Sequence, residues 1–208
     1  MSEHSEPATT PRRTSPTRER LVRETAALLE RRGYQATAVK EIVRAADVTT
    51  SSLYHHFPGG KEELAASALA YAGERFAALL RTALASEERT PDAIAACAND
   101  LATDLASTHW TDGCPVAVTA LESVSDAPLL RTTSARILLE WQEIIAGRLQ
   151  SAGLDGPAAA DLACTVLSAL EGAELLSRVT ADPSPLHTTG RYLARLVSSE
   201  LAASHASA

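Results

Sequence analysis

Apolar side chains recur along this chain every three to four residues, and the first three such runs are short and tightly spaced. Between residues 17 and 32, Leu21, Val22, Thr25, Leu28 and Leu29 fall on one stripe of a helix with 3.6 residues per turn, and Gly33 follows where such a helix stops. Val39, Ile42, Val43 and Ala46 then repeat the i, i+3, i+4, i+7 spacing of a second amphipathic helix, with the Thr37 hydroxyl placed to cap its first turn. The periodicity stops at Asp47. Val48 supplies one apolar anchor in the turn, and Thr49 or Thr50 offers the next N-cap. On the third helix Leu53 and Phe57 lie four apart and face inward, which turns Thr50, Ser51, Ser52, Tyr54, His55 and His56 outward. A short helix, a tight turn and a second short helix with small hydroxyls at its start is the pattern of a DNA-reading helix-turn-helix.

Beyond this head the same period continues and no β-type alternation of useful length occurs. Helices are predicted over 61–85, 91–107, 115–125, 129–151, 158–179 and 186–203. They are separated by the segment from His109 to Pro115, by Asp126-Ala127-Pro128, by the turn from Gly153 to Pro157 and by Pro183 and Pro185. Thr90 and Pro91 give an N-cap followed by Pro at the first helical position. The expected architecture is all-α with about nine helices: a disordered tail over 1–14, a helix-turn-helix head over 15–61 and a larger helical body over 62–208. The basic end of the tail, Arg12-Arg13, either idles in solvent or touches the DNA backbone or minor groove.

The stretch GYQATAVKEIVRAADVTTSSLYHHF resembles the N-terminal signature of the TetR family of bacterial transcriptional regulators through nearly every position. Gly33, Tyr34, Thr37, Ile42, Ala46, Val48, Leu53, Tyr54, His56 and Phe57 carry the likeness. Ser51 stands where many members have Gly or Pro, and Lys61 comes four residues after Phe57 rather than three. That extra glycine, with GCPV over 113–116, is similar to the LmrA/YxaF-like branch. The resemblance implies a ligand-responsive regulator, most simply a repressor released from a palindromic operator on double-stranded DNA by a small-molecule effector. It places Thr37, Lys40, Thr49, Thr50, Ser51, Ser52, Tyr54, His55, His56 and Lys61 at the DNA. It also implies that the last two helices pair with their copies in a homodimer, through Leu162, Val166, Ala169, Leu170, Ala173, Leu193, Leu196 and Val197. A pocket among the middle helices is expected to draw on the scarce aromatics Trp110 and Trp141, with Cys114, Glu122 and Glu171 as polar or ionisable fixtures.

Composition refines this picture. Apolar residues make up 45% of the 208 positions and aromatics only 4%, so helices packed closely through small side chains are expected. The net charge of −7 opposes DNA binding until it is divided along the chain. Residues 12–61 hold ten Lys or Arg against five Asp or Glu, a balance of +5, which leaves −12 for the remainder. Local positive charge binds phosphate, while an acidic body discourages indiscriminate sticking. Neither an apolar run of the ~18 residues that a membrane span needs nor a signal-peptide core is present, so the expectation is a cytoplasmic protein that does not engage the membrane. Cys97, Cys114 and Cys164 are odd in number and widely spaced, against a disulfide framework or a structural zinc site; Cys114 is the candidate for redox sensing, its pKa lowered near a helix start. No nucleophile elbow, HExxH or GxxxxGK is found, and adjacent His55 and His56 point about 100° apart, so neither a catalytic residue, a metal site nor a cofactor is expected. A helical protein-interaction module without DNA binding is the alternative, and an enzyme the weaker one.

Overall fold

The computed structural model describes residues 15–122 and 127–207, and among these every regular element is a helix. In chain order they are α1 (Pro16–Arg32), α2 (Val39–Ala45), α3 (Thr50–His56), α4 (Gly60–Ser86), α5 (Thr90–Ser107), α6 (Pro115–Glu122), α7 (Pro128–Ser151), α8 (Gly156–Thr180) and α9 (Ser184–Ser207). The prolines expected at helix starts sit where these helices begin, although Thr90 is the first residue of α5 and Arg89, not Thr90, is its N-cap. Pro16, Pro91, Pro128 and Pro157 occupy the first helical turns of α1, α5, α7 and α8, where the missing N–H costs nothing. Asp155 caps α8 by accepting from the Ala158 N–H at 2.8 Å. The tail over 1–14 and the expected end of the sixth helix near residue 125 lie outside the described residues.

Two main apolar cores form among the described residues, with a small third cluster between α5, α8 and α9. The smaller main core belongs to α1–α3 and the start of α4: Leu21, Val22, Ile42, Ala46, Leu53, Phe57 and Leu64 are buried together, with Val39, Val43 and Val48 packed at its edge. The larger fills the space among α4, α5, α7, α8 and α9, and α1 reaches it through Ala26 and Leu29. One helix therefore contributes a stripe to each main core, which joins head to body without a flexible linker.

Small side chains let the body helices approach closely, as the alanine-rich composition implied. A Cβ built at Gly190 of α9 would come within 2.8 Å of the Ala98 Cβ on α5, closer than non-bonded carbons tolerate. Trp141 of α7 fills the centre of the body, 2% exposed, stacks obliquely on Phe76 at 4.4 Å between ring centroids and donates its indole N–H to the Gly73 carbonyl at 3.1 Å.

Phe57 closes the head core from the end of α3, fully buried, with the Arg18 guanidinium 4.8 Å from its ring centroid. Phe57→Ala is expected to cost about 3–5 kcal/mol, the usual range for emptying a buried aromatic site, and denaturant titration of the full chain measures it; a loss below about 1 kcal/mol contradicts the packing described.

Candidate nucleic-acid interface and effector pocket

The recognition element is built by its own N-cap and its two inward anchors. The Thr49 Oγ1 accepts from the Ser52 N–H at 3.1 Å, starting α3, and Leu53 and Phe57, both at 0% exposure, fix its roll. Thr50, Ser51, Tyr54 and His55 are consequently exposed, while Ser52 and His56 are half-buried. Tyr54 keeps 49% of its exposure although its ring lies over Gly60, where a Cβ would sit 3.2 Å from Cε1. The turn before α3 carries Asp47 in the left-handed region, φ 50°, with its carbonyl accepting from Arg20 at 3.3 Å. Lys40 and Arg44 are exposed on α2, on the same short motif.

Two residues expected at the DNA are otherwise engaged. Thr37 is fully buried and does not cap α2, whose N-cap is Ala38; its hydroxyl donates to the Gly33 carbonyl at 2.7 Å. The capping role passes to Glu41, which accepts from the Ala38 N–H at 3.3 Å, and this bond with the neighbouring Arg32 holds its carboxyl below the ordinary value. The Lys61 ammonium donates to the Tyr34 carbonyl at 2.7 Å and lies 4.0 Å from the Tyr34 ring centroid. Burial lowers its pKa, partly offset by the Glu122 carboxylate. Both residues thus hold the α1–α2 loop, a role the sequence pattern did not distinguish from phosphate contact.

The same loop is gripped from the body. Glu122, at the end of α6, accepts from the Tyr34 N–H at 2.6 Å and the Gln35 N–H at 3.0 Å. Gly33 makes this approach possible: its φ is 74°, and a Cβ there would meet the Glu122 carboxyl at 2.5 Å. Nearby, Arg178 of α8 donates to the Thr111 carbonyl at 2.7 Å and the Arg31 carbonyl at 3.4 Å, and Asp112 pairs with Arg31 at 3.4 Å. The C-terminus of α1 is where head and body are tied. Glu122 was expected in the pocket and stands here instead, because α6 is short and carries the pocket at its opposite end.

That pocket is a cavity of about 210 Å³ beneath the end of α1, bounded by α4, α5, the start of α6, α7 and α8. Of the residues expected there, Trp141, Cys114 and Glu171 line it and Trp110 does not. Trp110, in the left-handed region at φ 62°, packs instead on the small cluster of Ala102, Leu105, Ala173 and Leu186. The sequence reading missed Glu30, Arg75, Phe76, Asp104 and Glu174; Phe76 and Glu174 could have been found from helical spacing, since they lie on inward stripes of α4 and α8. A second cavity, about 320 Å³, shares Phe76, Leu79, Leu101 and Asp104 with the first and continues between α4 and α5 to Leu170. Burial raises the carboxyl of Glu171 and, with Glu171 beside it, pushes that of Glu174 up to about 8. Cys114 is moved in the direction opposite to expectation: burial and the facing Glu171 and Glu174 hold its thiol well above the ordinary value, which disfavours the reactive thiolate of a redox sensor.

The expected dimer stripe also needs correction. Leu162, Val166, Leu170, Ala173, Leu193 and Val197 are 0–7% exposed and pack inside the protomer, with Ala169 half-buried; Leu196 alone of that set is exposed. On these two helices the other large apolar residues left outside are Leu175, Leu176 and Val179 on α8, in line with Gly172, and Tyr192 on α9. Helix α8 is apolar on two sides, and a 3.6-residue period does not say which one faces the core.

A three-helix head whose last helix is anchored by two apolar residues and presents hydroxyl, phenol and imidazole groups, set on a helical body with an internal cavity, defines a helix-turn-helix transcriptional regulator. Residues 21–68 match the model of the bacterial regulatory proteins of the tetR family, and residues 90–192 match that of the transcriptional regulator LmrA/YxaF-like C-terminal domain. The chain is 34% identical over 190 residues to the HTH-type transcriptional regulator Rv0196 of Mycobacterium tuberculosis (strain ATCC 25618 / H37Rv), covering 88% of this chain and 95% of that one. A TetR transcriptional regulator from Chloroflexus aurantiacus J-10-FL, of known crystal structure, is 30% identical with a TM-score of 0.73 over 88% of this chain and 94% of that one. A cysteine mutant of the TetR family regulator CifR, solved with a 26-base-pair double-strand operator, shares the fold at 18% identity and a TM-score of 0.74, covering 90% and 98% of the two chains. This protein belongs to the TetR family of bacterial transcriptional regulators, in its LmrA/YxaF-like branch, and is a regulator rather than an enzyme.

Because Lys61 serves the head–body joint, Lys61→Met is expected to lower the stability of the full chain by about 1–3 kcal/mol, the cost of a half-buried carbonyl losing its partner. It should leave the salt dependence of DNA binding unchanged. A phosphate-contacting lysine would instead reduce the slope of log K against log salt by about one, and gel retardation at several salt concentrations separates the two.

Proposed function

We propose that this protein is a ligand-released repressor that binds a palindromic operator as a homodimer, each subunit laying α3 into the major groove of one half-site. The observation that carries the reading is the roll of α3: with Leu53 and Phe57 at 0% exposure, the exposed Thr50, Ser51, Tyr54 and His55 are the side chains available to DNA. Thr50 and Ser51, short and near the helix start, suit base edges, as does the half-buried Ser52. Tyr54 and the two histidines lie further along, where phosphates flank the groove, and Thr49, Lys40 and Arg44 add polar and positive contacts beside it. The CifR regulator, of the same fold, binds operator DNA, which supports assigning this role to the matching head.

Two heads on one duplex require two subunits. The outward stripe of Gly172, Leu175, Leu176 and Val179, with Tyr192 and Leu196 on α9, is the apolar surface from which such a dimer would be built, since a monomer gains nothing by exposing it. For release, α6 offers a direct route: its first turn borders the cavity and its last residue, Glu122, holds the Tyr34–Gln35 loop. A ligand that shifts α6 biases the head away from the operator-competent spacing, and a coupling of ~1–3 kcal/mol changes operator affinity about 5- to 150-fold. Head (15–61) and body (62–208) act in this scheme as the reading and sensing parts.

Selection of bound DNA from a random pool should recover a palindrome whose half-site centres are about 34–36 Å apart or a multiple of a turn. Within that site, changes at Thr50 or Ser51 should alter base preference at about one position per half-site by ~1–3 kcal/mol, whereas Tyr54→Ala should weaken all sequences alike. Recovery of unpaired, non-palindromic sites, or full operator affinity in folded Tyr54→Ala, contradicts the reading. Val179→Arg should convert the dimer to a monomer in sedimentation and abolish operator retardation while leaving the helical signal unchanged.

A further inference from the structure

The cavity beneath α1 is unlike the rest of the body core in one respect: its wall carries five carboxyl side chains, Glu30, Asp104, Asp112, Glu171 and Glu174, and a single cation, Arg75. Arg75 lies 3.9 Å from Glu30, and Asp112 is paired outside the cavity with Arg31, so both are already matched. That leaves Glu171 and Glu174 of α8 inside the space, and Asp104 of α5 exposed at its rim, without a cationic partner at ion-pair distance. Glu174 is 9% exposed, and Phe76 and Trp141 form an aromatic wall in the same cavity. A protein core does not collect carboxyls for stability, because each loses hydration on burial. The adjoining cavity is more apolar, lined by Leu79, Leu80, Ala83, Cys97, Leu101 and Leu170, with Asp100, Asp104 and three hydroxyl residues along its α4–α5 rim, and Leu79 is 61% exposed. The two adjoin along Phe76, Leu79, Leu101 and Asp104, and their volumes together are on the scale of a small-molecule ligand site.

We propose that the effector is a lipophilic cation: an ammonium or comparable positive group seated among Asp104, Glu171 and Glu174 against the Phe76–Trp141 face, with its apolar portion in the cleft between α4 and α5. This rests on the reading of the protein as a ligand-released regulator and names the chemical class of its ligand. An anion meets several carboxyls and one engaged guanidinium, and a neutral molecule leaves the acidic end unused. The cation, by contrast, gains Coulombic attraction to the buried Glu171 and Glu174 and a contact with aromatic faces.

The empty site holds a proton on its most buried carboxyl. Glu174 faces Glu171 and Arg178 on its own helix, Asp104 on α5, Glu30 on α1, Arg75 on α4, and Asp112 and Cys114 in the loop before α6. Burial and the acidic majority among these groups favour its protonated form at neutral pH, with a pKa of about 8. Arrival of a cation reverses the preference, so the ligand binds as the carboxyl releases a proton to solvent. Affinity must therefore rise with pH up to about 8. The ionised form also matters for the head: the Glu174 carboxyl accepts from the Cys114 backbone N–H, at the residue before α6, and Glu171 bonds the Cys114 side chain. A carboxylate holds an N–H more strongly than a carboxylic acid does, so the same proton release tightens the pull on the start of the helix whose other end is Glu122.

The test uses the full chain and three probes with one hydrocarbon tail, decylammonium, decan-1-ol and decanoate, titrated calorimetrically below micelle formation at pH 6 and pH 8. Decylammonium should bind at least tenfold more tightly than the alcohol or the acid at pH 8, and its affinity should fall at least tenfold at pH 6 with proton release visible as a buffer-dependent heat. Glu174→Gln, nearly isosteric, should remove most of that preference and flatten the pH dependence while leaving decanol binding unchanged. Glu171→Gln should act in the same direction and serves if the first variant fails to fold. Equal or tighter binding of decanol or decanoate, absence of binding by all three, or decylammonium binding indifferent to both variants overturns the proposal. Gel retardation of the selected operator by the same preparation keeps the two readings apart: a chain that retards DNA and fails these titrations is a regulator with a different ligand class, and one that retards no DNA loses the regulator reading itself.

Discussion

The structure depends on one steric decision, the seating of α3 on Leu53 and Phe57. Two apolar residues four apart fix the roll of a seven-residue helix on the core of Leu21, Ile42, Ala46 and Leu64, and that roll turns Thr50, Ser51, Tyr54 and His55 outward. A helix this short has little stability of its own, so its position is inherited from the core beneath it. Function therefore depends on how firmly the head core is itself held. The ties at the end of α1 supply that hold: Glu122 and Lys61 satisfy the N–H and carbonyl groups of Tyr34, and Arg178 bonds Arg31.

Under the proposed ligand response, these ties are what would couple the head to the cavity. The body contacts the head where backbone groups would otherwise lack partners, so any movement of α6 either carries the α1–α2 loop with it or breaks two short hydrogen bonds. An unsatisfied backbone group costs about as much as the coupling an allosteric switch needs. The acidic cavity sits at the other end of the same short helix, where Cys114 meets Glu171 and Glu174. Chemistry at one end of α6 and geometry at the other are separated by only eight residues.

Much of this was legible in the sequence. Helix periods, Pro at helix starts and the break between Ala46 and Thr49 located the elements to within a few residues, and the Leu53–Phe57 spacing gave the outward face of α3 directly. What escaped was whatever depended on partners distant in the chain. Thr37 and Lys61 look like surface polar residues until the Gly33 and Tyr34 carbonyls are placed beside them. Glu122 and Trp110 were assigned to a pocket by scarcity and chemistry, which carry no direction. The α8 period does not say which side faces the core, because Leu162, Val166, Leu170 and Ala173, which pack inside the protomer, form as regular a pattern as the outward Gly172, Leu175, Leu176 and Val179. Likewise Cys114 was given a lowered pKa from its position before a helix, while the decisive terms, burial and two facing carboxyls, came from α8.

Amide hydrogen exchange of the full chain, with and without its selected operator, tests the seating of α3 most directly. Binding should slow exchange at the amides of Thr50 to His56 and leave the interior of α5 unchanged, with the α1–α2 loop at Tyr34 and Gln35 already protected in the free protein by Glu122. Slowed exchange confined to other helices, with the amides of α3 unaffected by bound DNA, would contradict the account.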